Sequence, residues 1–146
     1  MKVVLFCGGL GVRMRAYRDD SSSVSEENNI PKPLVSIGPR PLIWHIMKYY
    51  SHFGHNDFIL ALGHKTEQFK HYFHNYQEWF SNVHTLNMSD NNIEIMSQDT
   101  KDWKITFVDT GLNSNIGQRL LRVRDYIKDD VFLANYTDGL TDLDLN

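Results

Sequence analysis

Apolar residues are arranged along this chain in two ways: short unbroken runs, and longer stretches where they return every three or four positions. The run from Lys2 to Cys7, closed by Gly8 and Gly9, has the pattern of a strand buried on both faces of a parallel sheet. Phe58 to Leu62, ended by Gly63, predicts a second such strand, and Val131 to Tyr136 the last one. Between them Leu42, Ile43, Ile46, Met47, Tyr50 and Phe53 recur at helical spacing, with Pro41 at the start and Gly54 as the stop. Thr66 and Glu67 open another helix, whose stripe of Phe69, Tyr72, Phe73, Tyr76 and Phe80 reads as core packing rather than a ligand box. Asn115 to Ile127 is amphipathic, with Leu120, Leu121, Val123 and Ile127 expected on one side. Ile93–Met96 and Lys104–Val108 read as strands and as a candidate antiparallel pair, after turn-rich residues 87–92. Residues 14–30 are polar and predict a mobile surface loop, with Pro31 and Pro33 excluding helix at its end. Strands alternating with helices imply an α/β layered fold with a largely parallel sheet, in one domain over residues 1–146.

Composition changes this picture little, but it narrows the partners. Apolar residues make up 41% and charged residues 23%, and the net charge is −3. No broad basic face is available for nucleic acid or an anionic membrane, so affinity for phosphate must come from a local site. A single cysteine, Cys7, excludes an internal disulfide and fits a reducing compartment. No apolar run approaches membrane-spanning length, and Val3–Phe6 is too short for a signal-peptide core, so a cytoplasmic soluble protein is expected.

Three segments carry candidate chemistry. Gly8-Gly9-Leu10-Gly11-Val12-Arg13 follows the first strand directly. Glycines there permit unusual backbone angles and close ligand approach, and their N–H groups can converge on phosphate oxygens. Arg13 adds a rigid fork of donors suited to phosphate. The spacing is not the Gly-x-Gly-x-x-Gly of a dinucleotide fold, and Leu62-Gly63-His64 offers no acidic residue to hold a ribose. Pro31-Lys32-Pro33 holds one lysine in a segment expected to be stiff and extended. Alone it reads as a solvent-facing lysine, but it would suit neutralising a polyphosphate. Asp138, set between the last strand and Gly139, is placed to hold Mg2+ bridging phosphates, while Asp142 and Asp144 read equally as turn residues. The pairs His52/His55 and His71/His74 lack partners to complete a metal site and read as surface or edge residues. Cys7 reads as a small buried residue with no base to activate it.

Taken in order, these segments resemble the sugar nucleotidylyltransferases, and within them the branch that joins CTP to glucose 1-phosphate. The resemblance rests on Phe6 to Arg13, Pro31-Lys32-Pro33, Pro41 to Met47, Trp103 to Gly111, Gly117 to Leu120 and Tyr136 to Gly139, so it runs almost the whole chain. It implies a Rossmann-like three-layer nucleotidyltransferase fold with a mostly parallel sheet, of which this chain carries the N-terminal, nucleotide-binding part. It also implies a reaction: a sugar-phosphate oxygen attacks the α-phosphorus of CTP in line, and pyrophosphate leaves. On this resemblance Phe6, Cys7, Gly8, Gly9, Leu10, Gly11, Val12 and Arg13 wrap the nucleotide. Arg13 and Lys32 are the catalytic cations, Ser114 and Arg119 lie near the base or ribose, Thr137 lies against the nucleotide, and Asp138 binds Mg2+. The partners implied are CTP and a sugar 1-phosphate, with a second copy or a complementing chain as protein partner.

The chain departs from the family pattern at several points. Val12 stands where threonine is usual, Cys7 where alanine is, and Thr137 where glycine precedes the metal aspartate. Ile116-Gly117-Gln118-Arg119 replaces Thr-Gly-Gly-Arg, and the loop between Arg13 and Lys32 is longer. The family's second metal carboxylate, sugar-phosphate lysine and most of its sugar pocket lie beyond the stretch matched here. Two functions therefore stand side by side: part of a transferase that is inactive alone, or a non-catalytic nucleotide-binding or regulatory module. Another sugar or base is a third variant.

Overall fold

The computed structural model describes residues 1–9, 30–80 and 82–145. Leu10, Gly11, Val12, Arg13 and the polar stretch 14–29 lie outside them. Four parallel strands form the central sheet: β1 (Lys2–Phe6), β4 (Asp57–Leu62), β7 (Lys104–Asp109) and β8 (Leu133–Tyr136), in the order β7-β4-β1-β8. Two short antiparallel ribbons, β2 (Ser36–Ile37) with β3 (Arg40–Pro41) and β5 (His84–Asn87) with β6 (Asn92–Ile95), lie outside it. Among the described residues the α-helices are α1 (Leu42–His52), α2 (Thr66–His74) and α3 (Ile116–Ile127).

Strand periodicity sorts the core into two faces. Val3, Leu5 and Cys7 of β1, with Phe58, Leu60 and Leu62 of β4, point to one side and pack on Ile43, Ile46 and Met47 of α1 and Phe69 of α2. Val4, Ile59 and Ala61 point to the other side and pack on Val123 and Ile127 of α3. This is the three-layer arrangement, with two helices over one face and one over the other. β1 and β4 are buried on both sides, which accounts for their unbroken apolar runs. From β1 the chain steps to β4 and then to β7, and it returns past β1 to lay down β8 on the far side. The connections therefore diverge at β1 and β8, and the crevice at the carboxyl ends of these two strands is where open α/β sheets bind ligands.

Four local expectations are corrected. Ile93–Met96 and Lys104–Val108 do not pair with each other. Asn92–Ile95 turns back onto His84–Asn87, and Lys104–Asp109 joins β4 in parallel, its register set by Leu60 opposite Phe107. Asp90 in the intervening turn bonds the Asn92 N–H, and Asn91 adopts φ +54, the local chemistry that closes this hairpin. Lys32–Leu34 is a single 3₁₀ turn rather than extended chain, because proline fits the first turn of a helix, where no donor is needed. The aromatic stripe outlasts its helix. α2 ends at His74, and Tyr76 lies beneath the Arg40 guanidinium, 4.1 Å from the ring centre, so it packs against protein all the same. On α3, Leu121 faces solvent at 62% exposure, and the buried stripe is Arg119, Val123 and Ile127. Leu121 is two residues from Val123, hence about 200° around the helix at 3.6 residues per turn.

Candidate functional site

The described residues of the three chemical segments, Gly8-Gly9, Lys32 and Asp138, lie at the carboxyl end of the sheet. β1 is prolonged past its last residue by the Cys7 N–H donating to the Ala61 carbonyl at 3.0 Å, so the chain leaves the sheet only at Gly8. Gly8 is buried and Gly9 is exposed. A Cβ on Gly8 would lie 2.0 Å from Nη1 of Arg119, whereas one on Gly9 would meet nothing within 4 Å. A side chain at position 8 would therefore displace the Arg119 guanidinium, whereas position 9 leaves open space for one.

Lys32 and Asp138, 106 residues apart in sequence, face each other with Nζ 3.5 Å from Oδ2. Pro31 and Pro33 are buried and anchor the lysine-bearing turn, while the lysine itself is 41% exposed and the aspartate 56%. An ion pair this wet contributes little to stability, under about 1 kcal/mol. Both charged groups are thus held at the crevice mouth and can exchange each other for ligand at little cost.

Behind Asp138, Thr137 is 3% exposed and its hydroxyl donates to the Phe6 carbonyl at 2.9 Å. Thr137, which departs from the family pattern, therefore ties the end of β8 to the end of β1 through the Phe6 carbonyl. The Cys7 thiol donates to the Leu5 carbonyl at 3.5 Å. Thr137 faces inward to the strands rather than out to the crevice. Burial pushes the Cys7 thiol up to about 12, against the smaller opposing effects of the nearby Thr137 side chain and the Arg119 charge. A thiol so held is no nucleophile at neutral pH.

Arg119 is 5% exposed and joins the carboxyl ends of three adjacent strands. Nη1 donates to the Leu62 carbonyl at 3.0 Å and to Oγ1 of Thr110 at 2.6 Å. Nη2 donates to the Gly8 carbonyl at 3.0 Å and to that of Leu112 at 3.3 Å. Ser114 is half-buried, and its hydroxyl donates to the Thr110 carbonyl. Both residues with a family counterpart near the base or ribose are thus turned into the protein. The start of α3, which carries Arg119, is set by a capping box: the Asn115 side chain accepts from the Gln118 N–H and the Gln118 side chain from the Asn115 N–H, each at 2.9 Å. Gln118, where the family has glycine, therefore has a structural task.

Among the described residues no three His, Cys, Asp or Glu side chains gather into a metal site, and His52, His71 and His74 are exposed. Asp138 offers one accessible carboxylate. That donor set suits a hard cation completing its shell with phosphate oxygens and water, the usual habit of Mg2+, and does not suit a metal held by protein alone. Sequence reasoning missed Thr110, Gly63 and the burial of Arg119. The spacing Arg119, Val123, Ile127 carried the last signal, since an arginine four and eight residues before two apolar positions shares their face.

No family model matches the chain. It is 46% identical over 145 residues to a probable glucose-1-phosphate cytidylyltransferase of Bacillus subtilis, covering 99% of this chain and 53% of that protein. It is 45% identical over 147 residues to glucose-1-phosphate cytidylyltransferase of Salmonella typhimurium, with the same shares covered. Among solved structures the fold is similar to UTP-bound UGPase from Acinetobacter baumannii, at TM-score 0.65 and 17% identity, over 94% of this chain and 45% of that one. The chain thus spans about half the length of the relatives it matches.

Proposed function

We propose that this chain, 45–46% identical to about half of two glucose-1-phosphate cytidylyltransferases, belongs to the sugar nucleotidyltransferases and binds Mg-CTP at the carboxyl ends of β1 and β8, as the nucleotide half of such a site. The observation that carries this reading is the meeting of Lys32 and Asp138 beside the Gly8-Gly9 turn, from three separate parts of the chain. The glycine turn offers backbone N–H groups to the phosphates, and Arg13 supplies a second, bidentate donor. Lys32 exchanges Asp138 for the α-phosphate and offsets the charge that builds there as the sugar-phosphate oxygen attacks. The new P–O bond forms in line with the α–β bond that breaks, and pyrophosphate carries the electron pair away. Bound Mg2+ would supply charge neutralisation across the phosphates, with Asp138 as its protein ligand. No helix among the described residues is long and apolar enough to cross a membrane, and CTP and sugar phosphates as substrates fit a cytoplasmic protein.

In the family resemblance the sugar-phosphate lysine and the second metal carboxylate lie outside residues 1–146. The reading is therefore binding by these residues, with turnover drawing on a complementing chain or further sequence. A pyrophosphate-release assay with CTP, Mg2+ and glucose 1-phosphate tests that division. No release above the blank is expected from this chain, and steady turnover by it would overturn the restriction to binding.

A further inference from the structure

The most committed side chain at the crevice has no place in this account of phosphate binding. Arg119 spends its guanidinium on protein acceptors, three of them backbone carbonyls, at the ends of β1 and β4 and just after β7. Lysine has no fork to span such a set. Two glycines make the room: a Cβ on Gly8 would sit 2.0 Å from Nη1 and 2.1 Å from Cζ, and one on Gly63 would sit 2.6 Å from Nη1. Gly63 belongs to neither the glycine turn nor any phosphate motif, so its lack of a side chain follows from Arg119 and the nearby Gly111 carbonyl.

The consequence lies in one peptide plane. The Gly8 carbonyl and the Gly9 N–H belong to the same trans peptide, so they point in opposite directions. Because the carbonyl is drawn to Nη2 of Arg119 at 3.0 Å, the Gly9 N–H is aimed away from the guanidinium, on a residue that is exposed. The same contacts occupy carbonyl oxygens that would otherwise repel an anion arriving at this edge of the sheet.

We propose that Arg119 is a positioning residue for phosphate: it turns the Gly8–Gly9 peptide so that the Gly9 N–H faces an incoming phosphoryl oxygen, and the glycines at 8 and 63 leave room for its guanidinium. This rests on the nucleotide reading above, but it assigns Arg119 no contact with base or ribose.

The test uses Arg119→Lys and Arg119→Gln in the full chain, titrated with Mg-CTP and with inorganic tripolyphosphate plus Mg2+. Both variants are expected to lose about tenfold in affinity for each ligand, leaving the ratio between the two unchanged. In 15N-labelled protein tripolyphosphate should shift the Gly9 amide of the wild type and not that of Arg119→Lys, a response that general loosening of the fold would not single out. A loss confined to CTP assigns Arg119 to the base or ribose and overturns the proposal, as does full rescue by lysine. If the arginine variants do not fold, Gly63→Ala displaces the guanidinium from outside the glycine turn. Weakened tripolyphosphate binding is then expected, and unchanged binding refutes the proposal. A wild type that binds neither probe overturns the nucleotide reading itself, whereas a wild type that binds both, with variants unaltered, overturns only the role of Arg119.

Discussion

Lys32 Nζ stands 3.5 Å from Asp138 Oδ2, so the cation and the carboxylate offered by two distant motifs neutralise each other at the mouth of the crevice. Because both are well exposed, removing either should cost the fold less than about 1 kcal/mol. Ligand binding should respond far more. Lys32→Met is expected to melt within a few degrees of wild type, yet bind Mg-CTP about tenfold more weakly. Asp138→Asn should bind CTP with an affinity that no longer depends on Mg2+. Calorimetric titrations with and without Mg2+, beside thermal melts, check both. A large loss of stability with unchanged binding would make the pair structural.

Cys7 gives a pH dependence with a definite sign. Burial raises its thiol from the ordinary 9.0 to about 12, so above pH 9 the unfolded chain releases a proton that the folded chain keeps. Stability from this group is fully present below about pH 9 and is lost as pH climbs towards 12, at about 1.4 kcal/mol per unit. Urea denaturation between pH 8 and 11 should show a steeper alkaline decline in wild type than in Cys7→Ala. Parallel curves would remove Cys7 from the balance.

The Thr137 hydroxyl holds the ends of β8 and β1 together through the Phe6 carbonyl. Thr137→Val keeps the shape and deletes the donor, and should destabilise by about 1 kcal/mol because a part-buried carbonyl loses this partner. Thr137→Ser should retain most of the stability. Equal urea midpoints for wild type and Thr137→Val would show that the bond contributes nothing.

The capping box at the start of α3 carries Arg119 into place. Asn115→Ala should cost about 1 kcal/mol, measured by urea denaturation at neutral pH. Gln118→Gly, which restores the residue usual in the family, should cost a comparable amount by removing the reciprocal bond. A stabilising Gln118→Gly would mean that the box is not formed.

The sheet was legible in the sequence where burial is two-sided. The runs at Lys2–Cys7 and Phe58–Leu62 are apolar throughout because both faces of β1 and β4 are covered. Pairing was less legible. Ile93–Met96 and Lys104–Val108 are adjacent in sequence, but Lys104–Asp109 owes its position to β4, a long-range choice that local pattern does not encode. Lys32 and Asp138 could be named from residue type, yet their contact depends on the topology that returns β8 beside β1. The burial of Arg119 was less legible for a physical reason. Arginine is so rarely buried that its place on the apolar stripe of α3 was passed over in favour of Leu121, although helical geometry puts Arg119 on the buried face. The capping spacing Asn115-x-x-Gln118 was present in the sequence and went unread.

Calorimetric titration of Mg-CTP into this protein and into Arg13→Ala tests the central claim most directly. Saturable one-site binding by the wild type, weakened about tenfold or more in Arg13→Ala, is the predicted result. Absence of binding by the wild type, or an affinity unchanged by Arg13→Ala, would contradict the nucleotide-phosphate site at the carboxyl ends of β1 and β8.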